Sequence, residues 1–201
     1  MAGKNGFSIL LASSSPRRKE LMKRFKLPFE CIDHQLTRET SDKEYEEEIV
    51  VDIAFKKLRS IEDAYKNSYG VSVVSADTMV FHSGTLLGKP DDKQAAKRML
   101  KTLSGDWHEV YTGIAVFIRD FSGRENEIRF QEKTRVKFRK MPDFFIDQYV
   151  ESEKPLDKAG SYGIQDEGAF LIEKIVGDYY NVMGLPIGRL WEVFADFGVV
   201  E

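Results

Sequence analysis

The sequence predicts an α/β protein, and three observations support that fold class. Val71–Ala76 is a run rich in β-branched residues, which is typical of a strand buried on both faces of a sheet. Pro16 stands where a serine-terminated apolar run turns into a helix-like segment, as proline does at a first helical position. Strand-like and helix-like segments then intermix along the whole chain, an order typical of α/β folds.

The first half of the chain contains several strand and helix signals. Phe7–Ala12 is a short apolar run bounded by glycine and serine, and Phe29–Gln35 is the next expected strand. Arg17–Phe25 continues from the proline as a helix with its apolar residues facing inward. Lys43–Lys66 is long and charged, and its apolar residues recur on one side of a helix. A hairpin is expected at Met79–Leu87, turning at a Ser-Gly pair.

The second half alternates in the same way. One helix is expected to begin near an aspartate cap, and another begins with a proline. Two long segments of alternating polarity predict paired strands joined at a Ser-Gly turn. The expected helices are Asp91–Leu103, Pro142–Ser152 and Leu185–Phe197, and the expected strands are Glu109–Arg119, Ile128–Phe138 and Ala169–Ile175.

Size and charge limit the classes of function. The chain has 201 residues, of which 42% are hydrophobic and 31% are charged. These values fit one globular domain, residues 1–201, or two small lobes that share a cleft. The 30 lysines and arginines and the 33 aspartates and glutamates give a net charge of −3. Because nucleic-acid and membrane-surface proteins usually carry a basic excess, we expect no nucleic-acid partner and no membrane partner.

Cysteine usage and the N-terminus indicate a cellular location. Cys31 is the single cysteine, so no disulfide can form within the chain, and this fits a reducing compartment. No apolar run approaches the about 18 residues of a membrane-spanning helix. The N-terminus carries one lysine before a very short apolar stretch, which we interpret as a strand and not as a signal peptide. We therefore expect a cytoplasmic protein.

The stretch LASSSPRRKEL places three serines and two arginines on one turn between a strand and a helix. Backbone N–H groups at a helix N-terminus attract anions, and hydroxyl and guanidinium groups add donors. We therefore expect an anion site suited to phosphate at this turn. The alternative is that Ser15 is an ordinary helix N-cap and that Arg17 and Arg18 are solvated. The chain contains no Walker loop and no dinucleotide fingerprint.

Asp77 follows the apolar run, so we expect it to emerge at the end of a buried strand. In α/β sheets the ligand crevice lies outside the carboxyl ends of the strands. A carboxylate at that place can hold a metal ion or accept a proton from water. The alternative is a turn-forming aspartate, with Thr78 bonding the backbone. The apolar context favours the functional interpretation.

Three other segments give weaker signals. In the LGKP segment, glycine admits close backbone approach and proline fixes the exit, so Lys89 is held as a point charge for phosphate. Asp157–Gln165 is rich in glycine, and Gln165 offers both a donor and an acceptor to the edge of a base. The alternatives are a solvated lysine and a surface loop. Gly177–Pro186 is apolar and aromatic, which indicates a packed wall or a subunit contact.

These segments, taken in chain order, resemble the motifs of the Maf family. The six motifs are SxSPRRxEL, ADTxV, LGKP, SGxxHxVxTG, DKAGxYGIQ and GDYYxVMGLP. Each is short, but their combination from Leu11 to about Pro186 is specific. Maf proteins were first named for septum formation and are understood as nucleoside triphosphate pyrophosphatases. The resemblance implies a mixed twisted sheet with flanking helices, two lobes around a deep cleft, and often a homodimer.

The resemblance also implies an activity. It implies hydrolysis of a nucleoside triphosphate between the α and β phosphates, giving the monophosphate and pyrophosphate with a divalent metal cation, usually Mg²⁺. The GIQ version of the fifth motif is similar to the branch that prefers dTTP and UTP. Two alternatives stay open: a nucleotide-binding regulator of cell division with incidental catalysis, and a house-cleaning enzyme for modified nucleotides.

Residue roles follow from position in the motifs. Asp77 resembles the proton acceptor that activates water. Lys57, in the segment AFKKL, fits the lysine of an AxxKA motif, with leucine in place of alanine. The positions tied to substrate choice are Arg17, Thr78 and Gln165, and the phosphate-binding positions are Ser13, Arg18 and Lys89.

Two departures from the family pattern leave the metal ligands unassigned. Many relatives carry an acidic pair shortly after the second strand, where this chain has the segment LTRE and Glu39 is displaced. Where many relatives have SGR, this chain has SGD, with Asp106 in place of arginine. Neither departure involves Asp77.

Overall fold

The structure is a computed structural model that describes residues 6–34, 36, 49–152 and 154–200. Strands and helices intermix along the described part of the chain, as the sequence predicts. The strands are β1 Ser8–Ala12, β2 Phe29–Cys31, β3 Val71–His82, β4 Thr85–Leu87, β5 Trp107–Arg119, β6 Glu125–Phe138 and β7 Ile172–Val176. The helices are α1 Pro16–Met22, α2 Ile49–Arg59, α3 Lys93–Leu103, α4 Asp143–Glu151, α5 Tyr179–Met183 and α6 Ile187–Asp196.

The described strands form one seven-stranded mixed sheet. Its order is β2-β1-β3-β5-β6-β7, and β4 pairs with β3 off that path. β1 runs parallel to both β2 and β3, whereas the β3–β4 and β6–β7 pairs are antiparallel. Leu11 is the register partner of both Cys31 and Val74, so β1, β2 and the first part of β3 end at the same edge. The mixed α/β prediction is confirmed.

Strand β3 is longer than the sequence indicates. The apolar run predicts a strand that stops before Asp77, but the structure continues the strand through Asp77 to His82. The reason is pairing on both sides of the aspartate, because Ser75 pairs with β1 and Val80 pairs with β4. The prediction that Asp77 emerges at a strand end is therefore wrong. Asp77 instead lies two residues beyond the last position at which β3 pairs with β1.

Several other boundaries differ from the prediction. The helix expected at 43–66 is α2 followed by a 3₁₀ turn at Glu62–Ala64, and residues 43–48 lie outside the described part. Strand β2 is shorter than expected, and Gln35 also lies outside that part. The start of the last predicted strand is a 3₁₀ helix at Glu167–Leu171, because the Asp166 side chain accepts from Gly168 N and caps a helical turn. The short helix α5 was not predicted.

The chain divides into two compact units. The first comprises Met1–Asp77, Thr112–Glu132 and Gly184–Glu201. Its core includes Leu58, Val73 and Phe117, all buried. Helix α2 packs very closely on β5, because a Cβ built on Gly113 would lie 2.3 Å from the carbonyl oxygen of Val50. Only glycine admits this approach without displacing backbone.

The second unit comprises Thr78–Tyr111 and Lys133–Met183. Its core brings together Leu100 of α3, Phe138 of β6 and Tyr149 of α4, each almost fully buried. His108 and Tyr162 pack edge-on against Phe138 and against each other, with ring centroids 4.8 to 5.2 Å apart. This aromatic group anchors the segment before Gln165 to the sheet.

Among the residues that the structure describes, no helix combines the length and the apolar character needed to cross a bilayer.

Candidate active site

A buried ion pair is the centre of the candidate site in the first unit. Lys57 Nζ donates to Asp77 Oδ1 over 2.6 Å, and the two side chains are only 12% and 7% exposed. Taking both charges out of water is costly, so the pair persists only because each partner compensates the other. The pair lies at the sheet edge where β1 ends.

Two contacts of α2 fix this pair. The buried Ser75 hydroxyl on β3 donates to the carbonyl of Ala54 over 2.6 Å. Ala54 lies one helical turn before Lys57, so this bond sets the register of α2 against the strand that carries Asp77. The close approach at Gly113 sets the depth of the same helix.

The serine turn is organised by its own side chains. Ser15 Oγ accepts from Arg18 N over 3.5 Å, and Pro16 occupies the first helical position. The interpretation of Ser15 as an N-cap is therefore confirmed. Ser13 is buried, and its hydroxyl accepts from Ser15 N over 3.2 Å. Both hydroxyls thus satisfy backbone N–H groups at the start of α1, where such groups lack helical partners.

The two arginines of the turn differ in environment. Arg18 is buried, and its Nε donates to the carbonyl of Gly184 over 2.8 Å. Arg17 is half-buried on the same turn. Arg18 is therefore not solvated, and it links the serine turn to the end of the aromatic segment at Gly184.

His34 belongs to the same neighbourhood, and sequence reasoning missed it. It follows β2 at the sheet edge where β1 also ends, and Lys57, Arg18 and Asp77 all act on its charge. Burial and the two cations lower the pKa of His34 below its usual value, so the ring is neutral near pH 7. The buried Nδ1 of His34 finds no hydrogen-bond partner within the described chain. The position of His34 just after the predicted second strand was the one feature of the sequence that could have indicated a role at this site.

The second unit carries Lys89, Gln165 and Thr78. Lys89 is exposed and follows β4, between half-buried Gly88 and buried Pro90. The carbonyl of Gly88 accepts from Gly160 N over 3.1 Å, so the LGKP and DKAGSYGIQ segments adjoin. Thr78 follows Asp77 on β3 and is half-buried. Because successive side chains of a strand face opposite sides of its sheet, the side chains of Thr78 and Asp77 face opposite sides.

Gln165 is exposed on a short loop whose neighbours are buried. Residues 161–164 are all buried, and Tyr162 Oη lies 2.8 Å from His108 Nε2 within hydrogen-bond distance. Burial lowers the pKa of His108 to about 3, so its ring is neutral. The loop is thus held from behind while Gln165 remains accessible.

The described residues offer few ligands for a divalent cation. Within the described residues, His, Cys, Asp and Glu side chains form no cluster of three or more that could cage a metal ion, and Glu39 lies outside these residues. Asp77 is a buried carboxylate, the hard oxygen donor that Mg²⁺ prefers. Since Mg²⁺ usually takes one or two carboxylates together with substrate phosphates, the site fits a cation that arrives on a triphosphate.

Comparison with known sequences gives consistent matches over nearly the whole chain. The family model described as Maf-like protein matches residues 8–197. A dTTP/UTP pyrophosphatase of Thermosipho melanesiensis is 42% identical over 192 residues, covering 96% of this chain and 99% of the relative. A dTTP/UTP pyrophosphatase of Bacillus anthracis is 43% identical over 191 residues, covering 95% and 96% respectively.

Solved structures share the fold at low sequence identity. A Ham1 protein from Staphylococcus aureus superposes with a TM-score of 0.52 at 12% identity, covering 94% of this chain and 98% of that one. A HAM1 protein from Coxiella burnetii gives a TM-score of 0.51 at 14% identity, covering 94% and 99%. These likenesses concern the fold alone.

Proposed function

Because this chain belongs to the Maf family, we propose that it is a nucleoside triphosphate pyrophosphatase acting on dTTP and UTP. Water attacks phosphorus and gives up a proton, and the anhydride P–O bond between the α and β phosphates breaks, which gives the nucleoside monophosphate and pyrophosphate. The relatives that bear the name dTTP/UTP pyrophosphatase align with nearly all of this chain. The GIQ version of the DKAGxYGIQ motif supports the same base preference.

The observation that carries the proposal is the buried pair between Lys57 and Asp77. A general base of this reaction must accept a proton from water, and the Asp77 side chain paired with Lys57 is the group that we propose for this role. An ammonium group has three donors, so Lys57 can orient Asp77 and contact a phosphate oxygen at the same time. The water therefore becomes a better nucleophile beside the phosphates that it attacks.

The cationic and hydroxyl groups bind the triphosphate. Arg18 and Ser13 act on phosphate oxygens at the serine turn, and Lys89 supplies a point charge, as the family resemblance implies for these positions. Fixed positive charge stabilises the negative charge that develops on the leaving pyrophosphate, and such electrostatic stabilisation dominates phosphoryl-transfer catalysis.

We propose that a divalent cation, Mg²⁺, would offset part of the negative charge of the bound triphosphate. When bound, it neutralises phosphate charge and polarises the reacting phosphoryl group. Within the described residues no group of three or more acidic, His or Cys side chains could hold the ion, so the buried Asp77 would hold it together with the substrate phosphates.

Base choice is proposed for Gln165, Arg17 and Thr78. A primary amide can pair with the edge of thymine or uracil, because it carries both a donor and an acceptor. A base that leaves such a polar group unpaired binds less well and reacts more slowly. The homodimer and the cytoplasmic location also stay predictions of the resemblance and of the composition.

Pyrophosphate release from a panel of nucleotides tests the function. The panel contains the ordinary ribo- and deoxyribonucleotides and modified pyrimidine nucleotides, each with and without Mg²⁺. We expect turnover of dTTP and UTP that requires the cation. Tight binding with negligible turnover of every nucleotide would contradict the proposal and favour a regulator. A strong preference for modified nucleotides would favour the house-cleaning alternative.

A further inference from the structure

The loop that carries Gln165 is closed by hydrogen bonds to a buried tyrosine. We call residues 163–168 the selectivity loop. Gly163 N at its start donates to Tyr149 Oη over 3.1 Å, and this bond is buried. The same Tyr149 hydroxyl donates to Asp166 Oδ1 over 3.1 Å. One hydroxyl thus bridges the residues two before and one after Gln165.

Asp166 extends this bridge to the end of the loop. Its Oδ1 also accepts from Gly168 N over 2.8 Å, which caps the following 3₁₀ helix. Its Oδ2 lies 3.7 Å from Lys158 Nζ, a nearly buried ammonium group that also bonds Asp157 over 2.7 Å. The carboxylate is therefore held from two sides, and the two ends of the loop are linked through the hydrogen-bonded pair of Tyr149 and Asp166.

The packing leaves the loop little freedom. A Cβ built on Gly163 would lie 2.4 Å from Asp166 Oδ2 and 2.8 Å from Lys158 Cε. Tyr149 is 2% exposed on α4, so its ring cannot move without opening the core of the second unit. Burial raises the pKa of Tyr149, which keeps its hydroxyl protonated and able to donate.

Gln165 is exposed at the middle of this fixed frame. The Tyr149 hydroxyl accepts a hydrogen bond from the loop backbone before Gln165 and donates one to Asp166 after it. We propose that Tyr149 and Asp166 are positioning residues that set base selectivity by fixing the backbone from which Gln165 reaches the nucleobase. The inference rests on the proposed function, since it concerns the choice of base by a nucleotide hydrolase.

A double-mutant cycle tests the proposal. The measured quantity is kcat/KM for dTTP divided by kcat/KM for dCTP, a pyrimidine nucleotide with a different hydrogen-bonding edge. The proteins are wild type, Tyr149→Phe, Gln165→Ala and the double variant. We expect Tyr149→Phe to lower the ratio about tenfold, the factor that one hydrogen bond is worth. The double variant should have the same ratio as Gln165→Ala, because Tyr149 acts through Gln165.

Two further variants separate positioning from general destabilisation. Tyr65→Phe removes the hydroxyl of another fully buried tyrosine, whose bond to the Leu58 carbonyl spans 3.5 Å in the first unit. It should leave the dTTP/dCTP ratio unchanged. Asp166→Asn keeps an acceptor oxygen at the bridge and should preserve more selectivity than Asp166→Ala, which serves as the second test if Tyr149→Phe does not fold.

The outcomes distinguish the inference from the proposed function. An unchanged ratio in folded Tyr149→Phe, or effects of Tyr149→Phe and Gln165→Ala that multiply in the double variant, overturns the inference alone. A wild-type protein that hydrolyses neither dTTP nor UTP overturns the proposed function and the inference with it. A lowered dTTP/dCTP ratio in Tyr149→Phe, with no further loss when Gln165→Ala is added, supports both the inference and the proposed function.

Discussion

At the scale of single residues, burial gives a few polar side chains their character. Asp77, counted as a whole residue, is 5% exposed, and it is the only aspartate or glutamate among the described residues that is almost fully buried. Lys57 Nζ forms an ion pair with Asp77 Oδ1 at a distance of 2.6 Å. His34 and His108 are kept neutral by burial, and for His34 the neighbouring cations act in the same direction. Because burial keeps His108 neutral, the stability of the folded protein should depend on pH.

His108 is expected to make the folded state acid-sensitive. Its pKa is lowered to about 3 in the folded protein, from 6.5 for an unperturbed histidine. The unfolded chain therefore binds more protons between these values, and stability contributed by His108 is lost as the pH falls from about 6.5. The slope of the free energy of unfolding should be about 1.4 kcal/mol per pH unit in that window.

Urea unfolding of the wild type and His108→Gln between pH 7 and pH 4 measures this effect. The substitution removes the titration, so the gap in stability between the two proteins should narrow as the pH falls. Carboxylates that titrate in the same range affect both proteins equally. A gap that stays constant across the range would show that His108 is not held neutral in the folded state.

At the scale of elements, helix α2 positions the lysine of the site. Ser75 fixes its register through the Ala54 carbonyl, and Gly113 lets its backbone approach β5. Sequence reasoning placed Gly113 in a motif but gave it no role. The role depends on a contact between residues about 60 positions apart, which no local pattern reveals.

Gly113→Ala is expected to lower the free energy of unfolding by about 1–3 kcal/mol, the usual cost of overpacking a close contact. The added methyl group would meet the Val50 carbonyl oxygen, which α2 can avoid only by shifting. Gly188→Ala in α6 is the matched control, because a Cβ there meets nothing within 4 Å. Its stability should be unchanged or raised by up to about 1 kcal/mol, because alanine favours a helix. Equal urea midpoints for wild type and Gly113→Ala would contradict the tight packing of α2.

At the scale of the whole molecule, the sequence predicted which elements exist better than where they end. The β-branched run at Val71 and the alternating segment ending at Phe138 predicted strands correctly. The polar pair Asp77-Thr78 suggested a strand end, whereas pairing of β3 with β4 extends the strand to His82. Tertiary hydrogen bonds decided that boundary, and local composition could not reveal them.

Some residues of the candidate site could be predicted from the sequence, whereas others are identified only by their tertiary contacts. The motifs selected Asp77, Lys57 and Arg18, and the structure adds the pair between the first two and the bond from Arg18 to Gly184. His34 and Tyr149 stand outside the six motifs, and their positions matter only through distant contacts. Their roles, like those of all the site residues, stay predictions until variants are measured.

The central claim is that Asp77 accepts the proton of the attacking water, and Asp77→Asn tests it most directly. The amide keeps the shape of the side chain but cannot act as a base. Pyrophosphate release from dTTP should fall by about 10²–10⁴-fold, while calorimetry should show that dTTP still binds in the presence of Mg²⁺. Asp63→Asn, at a carboxylate that is 92% exposed, should behave as wild type. Turnover by Asp77→Asn at the wild-type rate would contradict the account.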